Sequence, residues 1–531
     1  MKTGTNYRKS AKWALAMLAI SGATLCAVGE EEKCPVSANV RGHENQADQV
    51  AASVSIAPAR PVPSPTLAAR LADGSEIIGI VHWGLNTYTD REWGFGDEDP
   101  AMLNPAKFDA DQIVGACKAG GIGGLVVVAK HHDGFCLWPT KTTEHNITKT
   151  PFWKSWSPKL ELENEKIPLS NSNSKLELKR ETGRDYLKEM EQACRRAGVK
   201  FGVYCSPWDR NNAHYGTEKY VTDVFQQQLR ELLSGNYGEI FEMWFDGANG
   251  GDGYYGGARE KRRIPDGYYR YDTETFAMVR RLQPKVSIFN ELDAADFRFG
   301  GNERGLVDPD SRATGGHYDG VWENYKKWSN TGLINGSTFH PIEADFPLRK
   351  GWFYHEKDRG TTKSAAYLTK LYLSSVGNAA TMNIGIAPNK DGLLDADDVK
   401  ALAGFKTLKD ALFAHEVTTG GSPATVGEPF NVVVMREDIS RGEQVDEWEF
   451  VADGKAILRG KSIGVKRIRV LETPCTAKSC EVKVLKDGGA LQGISFKLYS
   501  ADSELVSLVL SSTTESGETD TAKWMTGASD I

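Results

Sequence analysis

The chain has 531 residues, 40% hydrophobic and 25% charged, with 71 acidic against 64 basic side chains and a formal net charge of -7. That mild acidity offers no basic stripe to a phosphate backbone, which argues against nucleic acid as a partner. No stretch has 18 or more consecutive apolar residues, so no membrane span is expected.

The N-terminus runs from basic to apolar to small: Lys2, Arg8, Lys9 and Lys12, then Trp13 to Ile20, then Ala27 and Gly29. This is the layout of a secretory signal peptide over residues 1–28 and predicts a secreted or periplasmic protein. Leu25 stands before Cys26 where lipidation wants a small residue, so ordinary cleavage is favoured. Residues 29–74, rich in Ala, Pro and Val, read as an extended or disordered linker. Export permits disulfides, and Cys475 and Cys480 are close enough for a small one. Cys117, Cys136, Cys194 and Cys205 lie in or beside apolar segments and read as buried thiols.

From residue 75 to 414, short β-branched or aromatic runs alternate with helical-period segments. The runs are 77–86, 124–131, 201–207, 240–246, 286–291, 341–347 and 381–386. Amphipathic stretches at 111–119, 185–197, 217–233, 273–282 and 366–375 lie between several of them, and a last helix is expected near 396–413. This alternation predicts an α/β fold with a parallel sheet, and its spacing fits a (β/α)8-like barrel; an open doubly wound sheet is the alternative. No Gly-x-Gly-x-x-Gly follows the first strand, against a dinucleotide fold. Residues 153–184, polar and aperiodic, form an insertion expected on the active-site side of the barrel. Residues 415–511 show short strands without long helices and predict an all-β sandwich. Residues 512–531 form a polar tail.

In such barrels catalytic side chains gather at the C-terminal ends of strands. The polar and aromatic residues there are His82, Lys130-His131-His132-Asp133, Tyr204 with Ser206 to Arg210, Trp244-Phe245-Asp246-Gly247, Asn302-Glu303, Glu343-Ala344-Asp345 and Gly351 to His355. Carboxylates between flat rings equip a bowl for binding and cleaving a sugar. Asp246 ends an apolar strand and precedes a Gly-rich loop, so it reads as a nucleophile rather than a helix cap. A retaining glycosidase needs a second carboxyl about 5–5.5 Å away with a raised pKa; on spacing, Glu291, Glu303 and Glu343 compete. His131 and His132, as neighbours on a strand, are expected to face opposite ways, which disfavours a shared metal. No HExxH occurs.

The strings His82-Trp83-Gly84-Leu85-Asn86-Thr87, Arg91-Glu92-Trp93-Gly94, Lys130 to Phe135, Tyr204 to Arg210, Trp244 to Gly247, Gly301-Asn302-Glu303 and Gly351 to His355 resemble glycoside hydrolase family 29, the retaining α-L-fucosidases. The resemblance covers about residues 75–510. It implies Asp246 as nucleophile and Glu303 as acid/base, with Glu343 in reserve, and neither metal nor organic cofactor. It implies a fucose pocket of His82, Glu92, Trp93, His131, His132, Tyr204, Arg298 and Trp352. The Arg-Glu-Trp-Gly, Gly-Asn-Glu and Gly-Trp-Phe-Tyr-His forms look like the subfamily acting on α-1,3/1,4-linked fucose of branched Lewis-type glycans, with Glu343 and Asp345 on the galactose branch. Fucosylated oligosaccharides and glycoprotein glycans are the partners this implies. Two departures bear on fine preference: the long insertion, and Arg349-Lys350 before Gly351 where an Arg-Pro pair is expected. A non-catalytic fucose-binding protein on the same scaffold, a metal-dependent hydrolase using the two histidines and a glycosidase for another sugar are the rivals.

Overall fold

The computed structural model describes residues 59–155, 183–419 and 423–513. The expected signal segment, most of the insertion and nearly all of the polar tail lie outside the described residues.

Eight parallel strands form the barrel: β1 (Ile77–Val81), β2 (Gly124–Lys130), β3 (Lys200–Cys205), β4 (Glu242–Trp244), β5 (Ser287–Phe289), β6 (Arg298–Phe299), β7 (Ile342–Pro347) and β8 (Thr381–Ile386). Their order is β5-β4-β3-β2-β1-β8-β7-β6. A single parallel bridge, Phe289 to Phe297, joins the two edges and nearly closes the ring. Every residue of β1, β2 and β8 is buried, as expected of strands covered by helices outside and by barrel filling inside. The strands thin towards the seam, and β6 has two residues. The sequence pattern missed β6, because two residues carry no periodicity.

The helices α1 (Pro65–Ala72), α2 (Leu85–Thr89), α3 (Ala110–Ala119), α4 (Tyr186–Ala197), α5 (Gln226–Leu233), α6 (Phe276–Leu282), α7 (Ala365–Ser375) and α8 (Ala396–Leu412) accompany the barrel. Side-chain caps fix several starts: Asp109 accepts from the Gln112 amide and Asp185 from the Lys188 amide. Gly198, at φ 67°, ends α4 in the left-handed conformation that glycine adopts without strain.

Helix α1 corrects the expectation of a structureless linker. Ser64 caps it, Pro65 starts it, and Leu67 and Arg70 are buried. The Arg70 guanidinium lies between the Phe241 and Phe297 rings and 3.7 Å from Glu242, so the helix stoppers the barrel end opposite the strand C-termini.

The C-terminal region is the expected pair of antiparallel sheets, one of five strands and one of three. Phe430, Val433, Met435, Trp448, Phe450 and Leu498 fill the space between them. The other face of the smaller sheet contributes Val432, Val434 and Ile468 to the barrel's own core. A helix, α9 (Ser503–Ser511), was not expected within the sandwich; Asp502 caps it and Val506 and Val509 dock it on that core. Cys475 and Cys480 are free thiols, as are the four buried barrel cysteines.

Candidate active site

Four strand ends build a cup. His82 follows β1, His131 and His132 follow β2, Tyr204 lies near the end of β3, and Asp246 follows β4 by two residues. The sequence expectation that His131 and His132 diverge fails. β2 ends at Lys130 with an irregular register, so strand alternation no longer applies and the two rings lie 4.2 Å apart. His132 Nδ1 pairs with Ser206 Oγ at 2.7 Å, and its Nε2 points at Asp246 Oδ2 from 3.9 Å. Burial pulls His82 down to about 4 and holds His131 well below the ordinary histidine range, so both rings are neutral at neutral pH. His82 Nδ1 is buried and unpartnered. A ring with an open nitrogen in a cup can meet a ligand hydroxyl.

Asp246 is held in one pose. The Ala248 amide donates to Oδ1 at 2.6 Å and the Tyr204 phenol to Oδ2 at 3.2 Å. Tyr204 is itself fixed between the stacked rings of Trp244 and His131. A carboxylate oriented by two donors on rigid elements is pre-positioned to attack.

Glu303 stands at the rim, on the loop after β6. Partial desolvation pushes its carboxyl above the usual range; a Trp352 hydrogen bond pulls it back, and Asp246 and Glu92 push it further up. A carboxyl that keeps its proton longer at the rim, above a fixed carboxylate, is the pattern of an acid and a nucleophile. Glu92 is anchored by the Trp352 amide at 3.1 Å and by His355. Trp352 lies 5.2 Å from His82, ring to ring, as the wall of the cup. Trp93 stands 54% exposed at the lip with its edge towards His132, an apolar face still open to a ligand.

Three expected site residues take other places. Arg298 is fully buried and donates to the backbone carbonyls of Ser329, Ala313, His340 and Arg312, which seals its guanidinium away from a sugar. Glu343 and Asp345 point from β7 into the barrel interior and are 0% and 3% exposed. Glu343 accepts from Trp244 Nε1 at 2.9 Å and from Asn383 at 2.8 Å, and Asp345 accepts from Asn383 at 2.9 Å. Burial first, then the neighbouring carboxyl, pushes Glu343 up to about 8. A sealed carboxyl cannot touch a galactose branch or serve as acid in its place.

A cavity of about 620 Å³ opens on the β4–β6 side of Asp246, lined by Asp246, Glu291, Glu303, Tyr271, Phe299 and Trp322 among others. The sequence reading weighed Glu291 only as a competing acid and did not single out Tyr271 or Trp322. The tyrosine cluster at 268–271, directly after the Gly-rich loop, was the available signal.

An α/β barrel with a fixed carboxylate, a second carboxyl at the rim and an aromatic, histidine-rich cup between them is the architecture of a barrel glycoside hydrolase. The α-L-fucosidase family profile matches residues 74–407, and the chain belongs to that family. It is 32% identical over 339 residues to alpha-L-fucosidase 1 of Arabidopsis thaliana, an alignment covering 64% of this chain and 58% of that relative. It is similar in structure to a glycoside hydrolase 29 family member from a rumen bacterium (34% identity, TM-score 0.71, covering 84% of this chain and 78% of that one). It is also similar to SpGH29 (28% identity, TM-score 0.70, covering 84% and 100%).

Proposed function

We propose that the protein is a retaining exo-α-L-fucosidase. The observation that carries this reading is the Asp246 carboxylate, locked by the Ala248 amide and the Tyr204 phenol, with Glu303 at the rim of the same site. In the first step Asp246 attacks the anomeric carbon while Glu303 gives its proton to the departing glycosidic oxygen. In the second, Glu303 takes a proton from water, which displaces Asp246 and restores the anomeric configuration. The neutral histidines and Glu92 bind fucose hydroxyls, and the Trp352 and Trp93 faces take its ring and methyl group.

On the Arg91-Glu92-Trp93-Gly94 and Gly351 to His355 strings, the preferred substrates are α-1,3/1,4-fucosylated, branched Lewis-type glycans. On the basic, apolar, small N-terminal pattern, the chain is exported to the periplasm or beyond the cell. Fucose release from a branched Lewis trisaccharide and from linear α-1,2-fucosyllactose, with wild type, Asp246→Ala and Glu303→Ala, tests the reaction and the linkage together. Release from the branched glycan alone, lost in both variants, is expected. Equal release from both glycans overturns the linkage preference, and no release from either overturns the activity.

A further inference from the structure

Asp246 is steadied by donors to its own carboxyl, but Glu303 is exposed at the rim and meets Trp352 there. Where the Glu303 carboxyl stands is therefore decided largely by the backbone that carries it, the loop 300–308 leaving β6. Gly300, Gly301 and Gly305 give that stretch little stiffness of its own.

One side chain clasps the loop. Asn330, half-buried in the turn 326–331, reaches both of its arms. Its Nδ2 donates to Gly300 O at 2.9 Å and to Leu306 O at 3.0 Å, and its Oδ1 accepts from the Asp308 amide at 2.6 Å. Gly300 stands three residues before Glu303 and Leu306 three after, so the carboxamide ties the backbone on either side of the acid. Its two N–H groups meet two carbonyls and its oxygen meets an amide, which uses the whole group. Inside this closure Asn302 Nδ2 also donates to Leu306 O, at 2.9 Å. Gly301 runs at φ 76° against the clasp, where a Cβ would meet Ser329 Oγ at 2.6 Å.

The clasp is itself anchored on both sides. Arg298 Nε donates to Ser329 O at 2.9 Å, and the Arg312 amide donates to Thr331 O at 3.0 Å. The sandwich holds the outgoing arm of the loop: Arg467 and Arg469 each donate to Pro309 O at 2.6 Å. Displacement of an acid by about 1 Å from the oxygen it must protonate can cost about 10²-fold in rate.

We propose that Asn330 is a positioning residue for the reaction, holding the loop 300–308 so that Glu303 faces the glycosidic oxygen. The assignment rests on the reading of Glu303 as the acid/base.

The test measures kcat/KM for a branched fucosylated trisaccharide and for α-L-fucosyl fluoride, whose fluoride departs with little help from an acid. Wild type, Asn330→Ala, Asn330→Asp and Glu303→Gln are compared. Asn330→Asp keeps the side chain's size and the acceptor for the Asp308 amide but loses both donors. Each Asn330 variant is expected to lose about 10–100-fold on the trisaccharide and less than about twofold on the fluoride. A smaller folded fraction or a loosened fucose pocket would lower both alike. Equal losses on the two substrates, or no loss on either, overturn the positioning role if Glu303→Gln still separates them. If Glu303→Gln does not separate them, Glu303 is not the acid, and the reading on which the clasp rests falls with it.

Discussion

His355 Nε2 lies 2.5 Å from Glu92 Oε1, and Asp90 Oδ1 lies 3.1 Å from the other ring nitrogen. The histidine is a clamp between two acids, with Lys357 as the opposing charge nearby. Its contact with Glu92 raises its pKa above the ordinary value, against burial and Lys357, while Asp90 raises it further. The raised sign means that the clamp's contribution is complete below the unfolded histidine value, about 6.5, and is lost as pH rises through the higher folded one. Wild type is therefore expected to lose kcat/KM on the alkaline side chiefly through KM. His355→Gln, a donor that does not titrate, should flatten that limb, and His355→Ala should raise KM about tenfold at all pH values. An alkaline limb unchanged in His355→Gln removes the clamp from the pH profile.

Asp246→Asn should abolish turnover, because an amide cannot form the covalent intermediate. Glu303→Gln should lower kcat/KM, which reports the first irreversible step, about 10²–10⁴-fold on natural glycans, the usual worth of a general acid, and much less on fucosyl fluoride, whose departure needs little protonation, while kcat falls on both because the second step loses its base. Azide should rescue Glu303→Gln by attacking the intermediate without a general base. Steady-state kinetics on both substrates check this; identical losses of kcat/KM on both would move the acid role away from Glu303.

Glu343, pushed up to about 8, binds a proton in the fold that it has lost in the unfolded chain between its ordinary carboxylate range and that value. Stability from this group is therefore full at acid pH and declines as pH rises through the folded value. Glu343→Gln keeps the acceptor for Trp244 and does not ionise, so its Tm relative to wild type should be higher at pH 8 than at pH 5. Parallel Tm curves would show that the carboxyl is not titrating in the barrel.

Arg298→Ala should behave as a folding defect. Four backbone carbonyls lose their donor, at about 1–3 kcal/mol for each buried group left unsatisfied, so a loss of several kcal/mol is expected in chemical denaturation. Whatever protein remains folded should keep a near-normal KM. A large KM effect with unchanged stability would return Arg298 to the sugar pocket.

The alternation of apolar runs and amphipathic segments was enough to specify a parallel α/β sheet and the following antiparallel sheets, because covered strands and helices have different periods that survive in one dimension; the choice of a barrel over an open sheet was decided by the tertiary structure, where the two edge strands meet. Asp246 was legible for the same reason: a carboxylate that ends an apolar strand before glycines has only the strand's open end to occupy. The sequence could not say where each strand stops. Two residues beyond that point decide whether a side chain faces the interior or the rim, and the same alternation put Glu343 and Asp345 within the barrel and allowed His131 and His132 to converge past its edge. Nor could it show what lies opposite a side chain. Arg298 is spent on carbonyls from residues 312, 313, 329 and 340, and Trp322 meets Asp246 across one cavity, only because strands distant in sequence close into a ring. Local period is written along the chain, whereas burial, partners and shared cavities arise from contacts between segments that the chain brings together only on folding.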